Sequence, residues 1–443
     1  MIPSPRIAVV DDDPASVKAI RESLEKLGTA CLPVLVQAGR PSVPNPVRGI
    51  RLLFLDIHLV SGGQSGAALY DICGAIAEQV LAKDNGPYVL VIWTSHKDER
   101  KALLSHLSAH YPALPQPLAS LEMAKEDFLQ GGGFDSARLA ERIAELLKSQ
   151  PQANALLHWE DAVDAACGDL ISVLMGFISR GEMFLGTANE KLERLLTAIA
   201  QRSVGARNVS DDVLAAINEG FVPLLLDRLS HIPDKNEKLA EKWTAAVTKP
   251  DTLVSMDLAE SASLNGMHHI ASAISGEYKP GMRGAIYELP ENYDLSVLIT
   301  GIDPNKLLDT YIQRKDGTPD GLATLKSKIR WCLVGLRAAC DQAQQNVGLH
   351  RLLLALRIPD PIGVKGFGPL KHGASHCSMP MLIDGHVSKF VFNFHYLVTL
   401  TESQFNAMKV KSTLRFRENF CGDLENRFAA HASRPGLIDM TQR

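Results

Sequence analysis

Leu52-Leu-Phe-Leu55 runs straight into a single carboxylate, Asp56, and Ser61-Gly62-Gly63 supplies turn residues just beyond it. A short unbroken apolar run bounded by turn signals suits a strand buried on both faces, as in a parallel α/β sheet. Asp56 would then stand at the carboxyl end of a central strand, where open α/β sheets gather their ligand sites. Read alone, Asp56 is explained at least as well by a cap on the loop that follows, because short carboxylates bond readily to nearby backbone N–H groups.

The same pattern recurs. Arg6-Ile-Ala-Val-Val-Asp11-Asp12-Asp13-Pro14 is an apolar strand that ends in carboxylates. Tyr88-Val-Leu-Val-Ile-Trp93-Thr94-Ser95 ends in hydroxyls, and Leu118-Ala-Ser-Leu-Glu-Met-Ala-Lys125 ends in an ammonium. Carboxylates gathered at one point repel one another unless a hard divalent cation sits between them. Mg2+ takes oxygen ligands, keeps several waters, and accepts one or two carboxylates together with a phosphate oxygen.

Strand ends that carry, in order, an acidic pair, an Asp, a Thr and a Lys resemble the receiver domain of bacterial two-component response regulators. The resemblance spans residues 5–150 and implies a doubly wound, five-stranded parallel sheet of the flavodoxin-like kind. It implies that Asp56 is the nucleophile that becomes an aspartyl phosphate. It also implies that Asp12 and Asp56 bind Mg2+ directly, that Asp11 acts through water, and that the backbone carbonyl of His58 completes the shell. Lys125 would pair with phosphoryl oxygens and Thr94 would donate to one of them. Phosphoryl transfer is mostly positioning and charge neutralisation, which this set supplies. The implied partner is a histidine kinase or another phosphodonor, with a homodimer or a protein partner formed through the receiver or the helical segment.

The chain departs from that family at several points. Glu126 follows Lys125 where a Pro is usual, and Leu59-Val60-Ser61-Gly62-Gly63 replaces a Met-Pro loop. Glu122 stands where many receivers carry a switching aromatic. Pro41, Pro44 and Pro46 forbid a regular second helix near residues 37–47. These differences bear on the output surface more than on the chemistry.

With 443 residues the chain is long enough for two to four domains. Its net charge of −4 dictates no partner. Seven cysteines without a paired CxxC spacing, and no secretory signal, point to a reduced cytoplasm. No apolar run approaches the roughly 18–20 residues that a membrane helix needs.

Asp13 and Pro14 form a helix start, as N-cap and first helical residue. Further helices are expected at 65–83, about 97–108 and 135–148. Gln150-Pro151-Gln152 then marks a short boundary. Apolar stripes at 153–179, 189–202, 211–230 and 235–247 make residues 151–275 a mostly helical domain. It is acidic, with 10 basic and 17 acidic residues. Residues 276–443 are mildly basic, with 21 and 16. Strands at 329–338, 351–357 and 389–400 and a closing helix at 413–432 make this part an α+β or small barrel-like module. In its last strand Phe390, Phe392 and Phe394 alternate with Val391, Asn393 and His395, the pattern of a half-buried strand.

Cys340-Asp341-Gln342-Ala343-Gln344 is followed by His372, His376, Cys377, His386 and His395. A metal site or a thiol nucleophile with a histidine base is one reading. The spacing fits no standard zinc pattern, and a strand-end cap by Asp341 beside a buried Cys340 is the simpler one. The Cys-Asp-x-Ala-Gln run faintly resembles bacterial effector-type proteins, some from anti-phage loci, too weakly to carry residues over. No helix-turn-helix with a basic recognition helix is visible. Basic residues such as Lys326, Lys328, Arg330, Lys409, Lys411 and Arg415 read as a solvated face, so nucleic acid is an unsupported partner. Three functions follow: a phosphorylation-controlled signalling protein acting through protein contacts, a pseudo-receiver scaffold, or a defence effector whose C-terminal module binds nucleic acid or catalyses.

Overall fold

Strand β4 (Leu52–Leu55) is buried at every position. Its side chains alternate between two cores, Leu53 and Leu55 on one face of a sheet, Leu52 and Phe54 on the other. That is why the run carries no polar residue: neither face meets water. Around it are β1 (Ile7–Asp11), β2 (Leu32–Gln37), β3 (Arg40–Pro41), β5 (Tyr88–Thr94) and β6 (Pro117–Ala124), in the order β3-β2-β1-β4-β5-β6. The five longer strands are parallel, in the order of flavodoxin-like sheets. The sheet has six strands instead of the expected five. β3 is a two-residue antiparallel edge strand that turns back on β2 through Ala38 and Gly39, both at positive φ. It occupies the stretch where the prolines exclude a helix.

The structure is a computed structural model. It describes the chain except residues 1–4, 61–65, 96–98, 131–132, 179–187, 231–232, 248–250, 252, 274–275, 300, 315–321, 338–347, 361–366, 372 and 434–443. The chain divides into two compact units, Met1–Phe177 with Leu224–Thr252, and Ile178–Pro223 with Leu253–Arg443.

In the first unit α2 (Ala67–Val80) and α3 (Arg100–His110) cover one face of the sheet, and α1 (Pro14–Lys26) and α4 (Ser136–Lys148) the other. Asp13 caps α1, accepting the N–H groups of Ala15 and Ser16, with Pro14 at the first helical position. α5 (Pro151–Met175) follows α4 after two residues, and its Ala153 and Leu157 join the core under α1 and α4. α5 packs against α8 (Pro233–Ala246) within the same unit. At the amino end of the sheet Arg51 grips Glu160 of α5 through two hydrogen bonds, 2.6 Å from Nε and 2.9 Å from Nη2. Its Nη1 donates to the Asn85 carbonyl at 2.7 Å. Arg6 pairs with Glu160 and Asp164.

The second unit holds α6 (Ala188–Val204) and the first part of α7 (Val213–Ser230), which meet over Ala200, Val204 and Ala216. Its main sheet is antiparallel. β10 (Ile286–Glu288), β12 (Arg330–Gly335), β13 (Leu349–Pro359), β17 (His386–Thr401) and β15 (Ser375–Cys377) lie in that order, with β16 (Met381–Ile383) also on β17. Phe390, Phe392 and Phe394 are buried as their alternation suggests, but Val391 and Asn393 on the opposite face are buried too. The half-buried expectation fails because β17 is an inner strand with an apolar cluster on each side. The closing helix is also shorter than its pattern suggests. Residues 414–416 form β18 against β9 (Ile270–Ser272), and α13 spans Glu418–Ala432.

Candidate functional site

The carboxyl ends of β1, β4 and β6 converge on one buried ionic group. β1 ends in Asp11, Asp56 stands one residue beyond β4, and Lys125 follows directly on β6. The Asp56 N–H donates to the Val10 carbonyl at 3.0 Å, which continues the β1–β4 ladder and sets Asp56 beside Asp11. Lys125 opens a short 3-10 turn, Lys125–Phe128, and its Nζ donates to Asp11 Oδ2 at 2.7 Å and Asp56 Oδ2 at 2.8 Å. Asp11 is 0%, Asp56 4% and Lys125 9% exposed. Asp12 is half-buried beside them, and carboxylate oxygens of Asp11, Asp12 and Asp56 lie within 4.8 Å of one another.

Among the described residues three carboxylates face one ammonium, so negative charge is in excess. Burial, reinforced by the Asp56 charge, pushes the Asp11 carboxyl up to about 7 even though Lys125 and the Asp13 N–H oppose the shift. Burial and then Asp56 raise Asp12 in the same way. For Lys125 burial works against the ammonium, but the Asp56 and Asp11 charges outweigh it and its pKa is raised. Asp13 is occupied elsewhere: burial would raise it, but the capping N–H groups and the Ser16 hydroxyl hold it below the usual carboxylate range.

One atom decides how the group reads chemically. Asp56 Oδ1 is buried and has no hydrogen-bond partner among the described residues. A buried polar atom without a partner costs about 1–3 kcal/mol, more if it carries charge. Structural carboxylates in protein interiors have their oxygens satisfied. Hard oxygen donors without nitrogen or sulfur suit Mg2+ rather than zinc. The residues present therefore fit a Mg2+ ion. Among the described residues this is the one group of His, Cys, Asp or Glu side chains arranged to hold a metal.

Thr94 is the last residue of β5 and is 1% exposed. It lies in register with Ala124, the residue before Lys125. His58 Nε2 lies 3.4 Å from Oε2 of Glu99, the residue just before α3. Glu122 is half-buried and pairs in register with Ile92. Aromatic packing near Lys125 is instead supplied by Trp93, whose ring lies 5.7 Å from Phe128 and 5.8 Å from Phe134. Sequence reading missed that cluster, although an aromatic directly before the strand-end Thr was visible. It also missed Arg51 and Glu160, which are 109 residues apart with no local pattern linking them.

The second constellation does not assemble among the described residues. Cys340, Asp341 and His372 lie outside them. His376 and Cys377 are on β15, paired in register with Phe392 and Val391, while His386 and His395 are nine residues apart on β17. Burial raises the Cys377 thiol, the opposite of what a nucleophile needs. Several basic residues of this region are paired: Arg330 with Glu291, Lys411 with Glu277 and Arg415 with Glu418.

No protein-family model and no curated protein matches the chain significantly. Among solved structures, a response regulator from Thermotoga maritima is similar to part of it, at 15% identity over 32% of this chain and 97% of that one. The TM-score is 0.19. A likeness that slight decides nothing, so the functional reading stands on the sheet and its ionic group. No helix among the described residues is long and apolar enough to cross a membrane.

Proposed function

We propose that residues 5–150 are a phosphoacceptor receiver domain whose state controls the rest of the chain through protein contacts. Asp56 is the nucleophile. Its carboxylate attacks the phosphorus of a donor, a histidine kinase or a small acyl phosphate. A new P–O bond forms, and the donor's P–N or P–O bond breaks with the electron pair leaving on the donor. Asp12 and Asp56 would hold Mg2+, with Asp11 through water and the His58 carbonyl completing the shell. When bound, the ion would neutralise negative charge on the phosphoryl oxygens and the carboxylates.

The chain's own residues do the rest. Lys125 already holds Asp56 Oδ2, so the carboxylate is fixed in orientation before any donor arrives. The same ammonium is within reach of new oxygens that appear on Asp56. Thr94, buried at the end of the neighbouring strand, is the hydroxyl that would donate to one of them.

The observation that carries this reading is the unpartnered Asp56 Oδ1 in a group with surplus negative charge. The test is incubation of the full chain with acetyl phosphate and Mg2+, followed by intact-mass and peptide mass spectrometry. A phosphoryl adduct on Asp56, lost in Asp56→Asn, is expected. Normal Mg2+ binding with no adduct on the wild-type chain would instead make the domain a scaffold that binds metal without turnover.

A further inference from the structure

The first unit contains a cavity distant from the aspartates. Its volume is about 390 Å3, and it lies between α3, the loop after it, and strands β5 and β6. Local sequence explains why it exists. The loop reads Tyr111-Pro-Ala-Leu-Pro-Gln-Pro117, and its three prolines fix a rim that cannot fold back as helix. At the amino end of β6 the register slips: Tyr88 opposes Pro117 and Val89 opposes Ala119, so Leu118 is bulged out of the ladder. Bulges of this kind re-aim side chains and open space beside functional sites.

The lining gives the class of occupant. The lining is mixed: Leu90, Leu104, Leu107 and Pro115 make apolar walls, while Tyr88, Ser108, Tyr111, Gln116 and Ser120 bring polar groups. None of the lining residues carries a formal charge. A phosphate, nucleotide or carboxylate entering here would lose its hydration with no counter-charge to replace it. A neutral molecule loses less and gains both the walls and the polar groups. The size falls in the range of small-molecule sites. Tyr88 itself is 1% exposed, and burial alone acts on its phenol, with no hydrogen bond or charge opposing the upward shift. Strand addition by a peptide is disfavoured at this edge. Pro117 has no N–H to give, and the bulge at Leu118 interrupts the regular ladder that an added strand needs.

We infer that the cavity between α3 and the β5–β6 edge binds a neutral, ring-sized small molecule that carries a hydrogen-bonding group. This does not depend on phosphorylation of Asp56.

The probe is indole, with indole-3-acetate as the charged control, titrated against the full chain by calorimetry and saturation-transfer NMR. Saturable indole binding is expected, with indole-3-acetate at least ten-fold weaker. Ser108→Trp, at an exposed lining position on α3, should fill the mouth and abolish indole binding. Ser120→Val should weaken it several-fold if the tryptophan variant does not fold. Indole binding that survives both substitutions, equal binding of the charged probe, or no saturable binding overturns the inference. So does binding of a leucine-rich peptide without indole binding, which would make the cavity a protein contact.

Discussion

The N-terminal sheet carries an ionic cluster at each end, and the two differ in kind. At the amino end Arg51 meets Glu160 with two hydrogen bonds and its Nη1 donates to the Asn85 and Ile50 carbonyls. Arg6 adds a second cation facing three carboxylates of α5, Glu160, Asp161 and Asp164. Two cations thus meet three carboxylates. The Glu160 carboxyl is held below its ordinary range by the Arg51 hydrogen bond and charge. At the carboxyl end, among the described residues, Lys125 is the one cation facing Asp11, Asp12 and Asp56, burial is deeper, and one carboxylate oxygen has no partner. The first cluster satisfies its own groups, and the second leaves a buried oxygen that a bound cation could take.

The sharpest way to break this contrast is to remove the cation at each end. Lys125→Met should leave two buried carboxylates without their ammonium, at a cost of about 3–5 kcal/mol in metal-free buffer. Equilibrium denaturation of the full chain in chelator measures it, following the transition of the first unit. A loss near zero would mean that the carboxylates are already protonated and that the site is not charged as described.

A metal titration gives the next largest effect. Mg2+ at about 100 times its dissociation constant should stabilise the first unit by ~2.7 kcal/mol by mass action. Acidity should act oppositely with and without metal. The folded Asp11 carboxyl, at about 7, lies above its unfolded value. Its stabilising contribution is therefore full below the unfolded pKa and is lost as pH rises through about 7. In chelator this group makes the fold more stable on acidification toward about pH 4. In Mg2+ the ionised form is the one bound, so acidification should remove the metal's benefit. Thermal melts across that range, with and without Mg2+, check the sign.

At the amino end Arg51→Ala should cost about 1–3 kcal/mol, because Glu160 is left half-buried without its fork. The loss should be the same with and without Mg2+. Faster hydrogen exchange in residues 153–166 would show that the clamp holds α5 to the sheet. A Mg2+-dependent loss would show that the two ends are coupled, which the static contrast does not require.

Much of this first unit is legible in the sequence because its strands obey a local rule. Runs such as Leu52–Leu55 and Val89–Trp93 are apolar at every position, and Asp56, the residue after the first run, is one of those that converge. The Asp13-Pro14 helix start and the prolines that exclude a second helix are local as well. The rule fails where a partner is distant. Nothing near Arg51 announces Glu160, and nothing near residue 390 says that β17 will lie between β13 and β15 with both faces covered. Residues 414–416 followed the helical pattern around them until pairing with β9 made them a strand. In the site, residue types and order were readable, but the orphaned Asp56 oxygen and the inward pairing of Lys125 with Asp11 depend on how strands 114 residues apart pack together.

Asp12→Asn should give the smallest effect and the most discriminating one. Asp12 makes no ion pair with Lys125, whose ammonium is taken by Asp11 and Asp56. Its carboxyl is raised by burial and by the Asp56 charge, so ionising it near neutral pH opposes the fold. Replacing it by the neutral isostere removes that repulsion and leaves the shape nearly intact. Since Asp12 is half-buried and solvent screens part of the repulsion, the gain in chelator should be under about 1 kcal/mol. The same substitution deletes an oxygen donor that the site needs for metal, so the Mg2+ stabilisation should fall sharply. A variant more stable without metal and less responsive to it is the signature of a site that holds charge in reserve for a ligand. If Asp12→Asn instead destabilises the metal-free protein and leaves the Mg2+ response intact, the acidic group is a structural network like the one at Arg51. The two ends of the sheet would then not differ in the way described.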